Sequence, residues 1–182
     1  RVREEAWPAP VNADEMHDAL VWLGFLDARE VGNTPGWAGW LGELAASRRA
    51  ALLSRPGMRV WIAAERLPQF RVLWPDAALE PVIAAPAAYA ARDWSADLAL
   101  VEVLRGRLEG LGPVAASALA APLGLTADDI AFALAALEAE GFALKGRFTD
   151  GAADDEWCER RLLARVHRYT VNRLRAEIEP VA

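Results

Sequence analysis

The chain has 182 residues, 54% of them apolar, and a mean hydropathy of +0.08. That is enough for one good core or two small ones, but Gly, Pro or charge breaks every apolar stretch well short of the roughly 20 residues a bilayer span needs. A net charge of −6 argues against a uniformly basic nucleic-acid binder, and the single cysteine, Cys158, excludes an internal disulfide framework and fits a reducing, cytoplasmic setting.

The opening "RVREEAWPAP" lacks the apolar centre of a secretory signal, and the start at Arg1 reads as a piece of a longer protein. Asn12 and Glu15 form a capping-box-like start for a helix through "MHDALVWLGFL". "GNTPG" at 32–36 breaks the chain. A second helix follows in "WAGWLGELAASRRAALL", with Trp37, Trp40, Leu41, Leu44 and Leu52 at helical intervals. "MRVWIAAE" reads as a short buried strand, and four prolines make 66–92 a short helix plus connector. Seven of the eight tryptophans precede residue 95, which gives this half a bulky aromatic core.

Ser95 caps the next predicted helix, whose Leu98, Val101, Leu104, Leu108 and Leu111 form one apolar face. Pro113 suits the first turn of a helix over "VAASALAAPLG", and Gly124 ends it. Thr126 and Asp129 open a third helix with Ile130, Leu134 and Leu137 inward, and Gly141 stops it. From Phe142 the period becomes two, with Phe142, Leu144 and Phe148 on one side and Ala143, Lys145, Arg147 and Thr149 on the other. "EWCER" is a returning strand, and a long helix follows to Pro180. The expected fold is therefore mostly α with short β-hairpins (α+β). It is read as tandem winged-helix-like modules at 10–92 and 93–180, the second with its wing at 142–160.

Charge is local. Residues 93–144 hold 2 basic and 8 acidic groups, whereas 145–175 hold 8 and 5. On a helix Arg161, Arg165, Arg168 and Arg175 fall within roughly 80° of one another, with Asn172 among them. Opposite lie Leu163, Val166, Thr170, Leu174 and Ile178. With Lys145 and Arg147 of the wing, these arginines are the candidate nucleic-acid-binding residues, because guanidinium groups grip phosphate oxygens without reading bases. The competing reading is a solvated helix face whose arginines pair with Glu156, Glu159 or Glu177, or with a neighbouring domain. The third helix of the second module carries Asp128, Asp129, Glu138 and Glu140 and no basic residue, so its entry into a major groove is disfavoured.

Other chemistry finds little support. The only lysine lies in "ALKGRF", without the glycines and hydroxyl of a phosphate-binding loop, and His17, His167 and Cys158 are too scattered for a zinc site. Asp128 and Asp129 fit a helix start, and Asp154, Asp155 and Glu156 fit a solvated hairpin tip. His167 reads as a packing residue at the edge of its apolar face, and Cys158 as a half-buried filler. No catalytic or metal-binding residue is assigned.

"LVEVLRGRLEGLGPV", "ALEAEGFALKGRFT" and "EWCERRLLARVHRYT" resemble the region beyond the motor core of the bacterial large helicase-related (Lhr) family. "HDALVWLGFL" and "WIAAERLPQF" resemble the segment just upstream, so the likeness spans about residues 15 to 180. The resemblance implies a parent that is a very large superfamily 2, ATP-dependent, 3′-to-5′ DNA helicase connected with DNA repair. ATP and Mg²⁺ would be held by its motor domains, so no cofactor is expected in this stretch, which is expected to be inactive alone. It further implies winged-helix modules similar to alkylpurine DNA glycosylases, but the Gln-x-Gln or Gln-x-Asp signature is missing: Gln69, the only glutamine, reads "QFR". The expected partners are single-stranded or junction DNA and other modules of the same polypeptide, in the cytoplasm at the nucleoid and with no membrane. Oligomerisation through the acidic third helix, and a base-excision module whose catalytic carboxylate lies elsewhere, are the rival readings.

Overall fold

A computed structural model describes residues 6–178, with the side chains of 172–174 and 176–178 outside the description. The first half runs α1 (Ala13–Leu23), β1 (Leu26–Asp27), α2 (Ala28–Gly32), α3 (Trp37–Ala46), β2 (Ala50–Arg55) and β3 (Met58–Ala63). It continues with α4 (Leu67–Leu73), β4 (Ala78–Glu80) and the single turn α5 (Ala87–Ala90). The second half repeats the opening order: α6 (Ala96–Leu111), β5 (Val114–Ala115), α7 (Ala116–Ala120), α8 (Ala131–Ala139), β6 (Ala143–Gly146) and β7 (Glu156–Glu159), with α9 (Arg160–Ile178) last. Both sheets are antiparallel. Their orders, β1-β3-β2-β4 and β5-β7-β6, each place the short first strand beside the last strand of the hairpin. The class is α+β, and the order helix–strand–helix–helix–hairpin in both halves is that expected of a winged-helix-like arrangement.

The caps explain where the helices begin. Asn12 accepts from the Glu15 N–H at 2.9 Å while Glu15 accepts from Val11 N, and Gly24 ends α1 at φ 83°. Asp27 and Glu30 close a second capping box on α2, and the Ser95 hydroxyl accepts from Leu98 N on α6. Before α8, Thr126 and Asp129 bond reciprocally, but residues 127–130 form turns and regular helix starts only at Ala131.

The strands depart most from the sequence expectation. The helix from Trp37 stops at Ala46, and Leu52 lies in β2, paired with Trp61 of β3 and Glu80 of β4. Pro56 and Gly57, the latter at φ 81°, make the reversal between β2 and β3. Pro113 precedes the strand β5 rather than opening a helix. In β6 the expected alternation is inverted: Ala143 is fully buried and Leu144 is exposed. Leu98 is also exposed, so the face of α6 begins at Val101.

The main apolar core crosses both halves, joining Phe25, Leu53, Ile62 and Phe70 to Leu104, Leu108, Leu134 and Leu137. α1 and α6 approach so closely that a Cβ on Gly106 would sit 2.7 Å from the Trp22 carbonyl oxygen, and one on Gly110 would meet Leu23. Between these glycines Arg107, 3% exposed, pairs with Glu30, donates to the Phe25 carbonyl and lies over the rings of Phe25 and Trp7. A second contact brings the β2–β3 turn against Gly124, whose Cβ position is 3.3 Å from the Gly57 oxygen.

Candidate nucleic-acid interface

β7 delivers the chain into α9, and two buried carboxylates fix the junction. Glu159 accepts from the N–H groups of Arg161 and Leu162 at 2.9 and 2.8 Å, which supplies the first turn of α9 with acceptors where the helix field favours a negative charge. Glu156 is not a solvated tip residue. It is buried and accepts from Phe148 N, Thr149 N and the Thr149 hydroxyl, so it clamps the wing loop back onto its own strand. Burial pushes the Glu156 carboxyl up, but the bonds from Thr149 and Phe148 outweigh that and hold it below the usual carboxylate range. A carboxylate with a depressed folded pKa contributes stability above its unfolded pKa and loses it as pH falls through the folded one. Glu156→Gln should therefore lower Tm by a few degrees at neutral pH. The gap between variant and wild type should close progressively below about pH 4.5, as followed by thermal melts across pH.

α9 rests on the body through its first two turns. Leu162, with Leu163 and Val166 beside it, packs on Ala6, Cys158 and Phe148. From His167 to Thr170 every side chain is exposed, so His167 is not the packing residue expected and Thr170 lies outside the packed arc. Leu174 and Ile178, like Asn172 and Glu177, lie outside the described side chains. Cys158 is fully buried rather than half-buried, and burial, with Glu159 and Glu156 nearby, pushes its thiol up to about 12, so it stays protonated at neutral pH.

The cations divide into three settings. Arg161, Arg168 and Arg175 are exposed on one side of α9, whereas Arg165 is half-buried at its foot and makes contacts of its own. Lys145 and Arg147 both reach the carboxylate of Asp155, at 3.2 and 3.6 Å, in an exposed cluster with one more positive than negative charge. At the foot of α9 a cleft of about 390 Å³ is lined by Trp22, Glu109, Phe142, Glu159, Arg161 and Arg165. The Trp22 indole N–H donates to Glu109 there. Trp22 and Glu109 escaped the sequence reading because nothing local places α1 beside α9. α8 turns Phe132, 63% exposed, and Glu138 outward, and Glu140 just past its end pairs with Arg105 of α6. Among the described residues no helix is long and apolar enough to cross a membrane, and no cluster of His, Cys, Asp and Glu is placed to hold a metal ion.

No family model matches the chain. Over 175 residues it is 26% identical to a protein of Mycolicibacterium smegmatis described as "Lhr helicase/ probable uracil glycosylase", a match covering 94% of this chain and 11% of that protein. The chain is thus distantly similar to an Lhr helicase and spans about a ninth of its length.

Proposed function

We propose that the chain is an accessory segment of an Lhr-type ATP-dependent DNA helicase, built as winged-helix-like modules at 10–92 and 93–180. In this reading the outer side of α9 and the wing hold the backbone of single-stranded or junction DNA at the nucleoid without reading sequence. The observation that carries it is the exposed row Arg161, Arg168 and Arg175 on α9, whose side chains from His167 to Thr170 are all exposed as well. Arg165 at the foot of the helix and the Lys145–Arg147 pair continue the positive side. The Asp155 pairings are solvent-exposed and so worth at most about 1 kcal/mol, which an incoming phosphate can displace. Motor activity, ATP and Mg²⁺ belong in this reading to other parts of the parent.

The test is fluorescence anisotropy with labelled single strands and forks across a salt series. Wild type should lose affinity steeply with salt, and Arg161→Ala/Arg168→Ala/Arg175→Ala should reduce the log–log slope by about 2 to 3 and weaken binding by at least about tenfold at low salt. Binding that ignores salt, or that survives the triple substitution unchanged, overturns the reading. The exposed Phe132 on α8, with Asp128 and Asp129 just before the helix and Glu138 on it, favours a second reading, a surface for other modules or another copy. Concentration-dependent mass in sedimentation, lost in Phe132→Ser and indifferent to DNA, would favour it.

A further inference from the structure

Between α1, α4, α6 and the connector around α5 lies a second cleft of about 390 Å³. The body lines it with Glu65, Arg66, Gln69 and Glu102, and the connector with Tyr89 and Trp94. Each of the body's charged groups has a protein partner. Glu65 meets His17 Nε2 at 3.1 Å, Arg66 donates to the Val21 carbonyl at 2.7 Å, and Glu102 accepts from Arg105 at 2.9 Å. Gln69 differs. It is 5% exposed, and its Oε1 has no hydrogen-bond partner, the one such buried side-chain atom among the described residues.

A buried amide oxygen without a donor is destabilising, and native proteins rarely carry one unless something else supplies the donor. The missing donor has a definite setting here. The connector from Pro86 to Asp93 is exposed throughout, so the Tyr89–Trp94 side of the cleft is its less confined side. Arg92, also in the lining, stacks its guanidinium 3.9 Å from the Trp94 ring centroid and brings a positive charge to that side. A ligand entering there meets aromatic rings on one side and, after rotation about the terminal Gln69 torsion, an adjacent carbonyl and NH₂. A flat ring with an amino donor beside a ring nitrogen acceptor answers both, as glutamine answers adenine.

We propose that this cleft takes a single unstacked amino-bearing nucleobase, its edge paired with the Gln69 amide and its ring against Tyr89 and Trp94. The class of ligand rests on the nucleic-acid reading proposed for α9, whereas the vacant hydrogen bond and the cleft do not. The base comes either from a strand held by α9 or from a free nucleotide, and the arms of the test separate these sources.

NMR of the ¹⁵N-labelled chain would follow the Gln69 side-chain amide and the Trp94 indole during addition of dAMP, deoxyribose 5-phosphate or a short oligo-dA strand. dAMP should shift both signals saturably, and deoxyribose 5-phosphate should leave them in place. Oligo-dA should move the same signals at a concentration at least about tenfold lower, because α9 tethers the strand. Gln69→Leu should abolish the dAMP response while raising Tm by a few degrees, since it removes an unpaired buried carbonyl; an amide with a purely structural role would lower Tm instead. Absence of a saturable dAMP response, or its survival in Gln69→Leu, overturns the proposal. Oligo-dA that binds with steep salt dependence yet leaves Gln69 and Trp94 unmoved overturns it too, with the α9 reading intact. dAMP binding with no gain from the strand assigns the cleft to a free nucleotide and overturns its supply by a strand held on α9, whose own salt-dependent test stands apart.

Discussion

Arg107→Ala should destabilise the chain by about 3 kcal/mol, the low end for breaking a buried ion pair, because Arg107 is buried but Glu30 only half so. The Glu30 carboxylate would lose its guanidinium and the Phe25 carbonyl a donor, while Phe25 and Trp7 would face a void. Glu30 also accepts from the Asp27 N–H at 2.9 Å, so the start of α2 would loosen with it. Chemical denaturation measures the loss. Restoring the apolar contacts while removing the stranded charge, in Arg107→Met/Glu30→Gln, should recover part of it, whereas equal instability of the single and double variants would show that the ion pair itself carries little.

Gly106→Ala should also lower stability, against the usual sign of such a change. Alanine in a helix interior gains about 1 kcal/mol over glycine. At Gly106 the new methyl would lie 2.7 Å from the Trp22 oxygen and 3.0 Å from Leu23 backbone atoms, which cannot rotate away as a side chain can. α1 and α6 must then separate, and overpacking of this kind costs about 1–3 kcal/mol or more, which outweighs the propensity gain. A fall in Tm of several degrees is expected. Gly42→Ala in α3, whose added methyl would meet nothing within 4 Å, supplies the control and should raise Tm slightly. A rise for both would mean that the α1–α6 approach is looser than described.

The capped helices are legible in the sequence because their signals are local: Asn12 with Glu15, Ser95 before Leu98, and the glycines that follow. The strands are less so, for two reasons. β2 is rich in alanine and leucine and becomes a strand only because Val60 and Ile62 of β3 and Leu79 of β4 pair with it. β1 and β5, at two residues each, are too short to display a period of two. The arginine spacing on α9 is likewise readable from a helical projection, whereas the sharing of Asp155 by Lys145 and Arg147 depends on how the wing loop returns.

Arg107 was within reach of sequence reasoning. Ala99, Val103, Gly106 and Gly110 recur at helical spacing on α6 and mark a second, small-residue side next to the leucine face, with Arg107 on its border. Gln69 carries no such signal, because only the folded chain reveals an amide oxygen lacking a donor.

The unbroken core from Phe25 to Leu137 leaves the two halves no swivel. At Gly106 and Gly110 α6 lies so near α1 that no side chain fits between them, so a push on one of these helices is handed to the other rather than absorbed. Severing the chain near residue 92 would bare a greasy seam on both fragments.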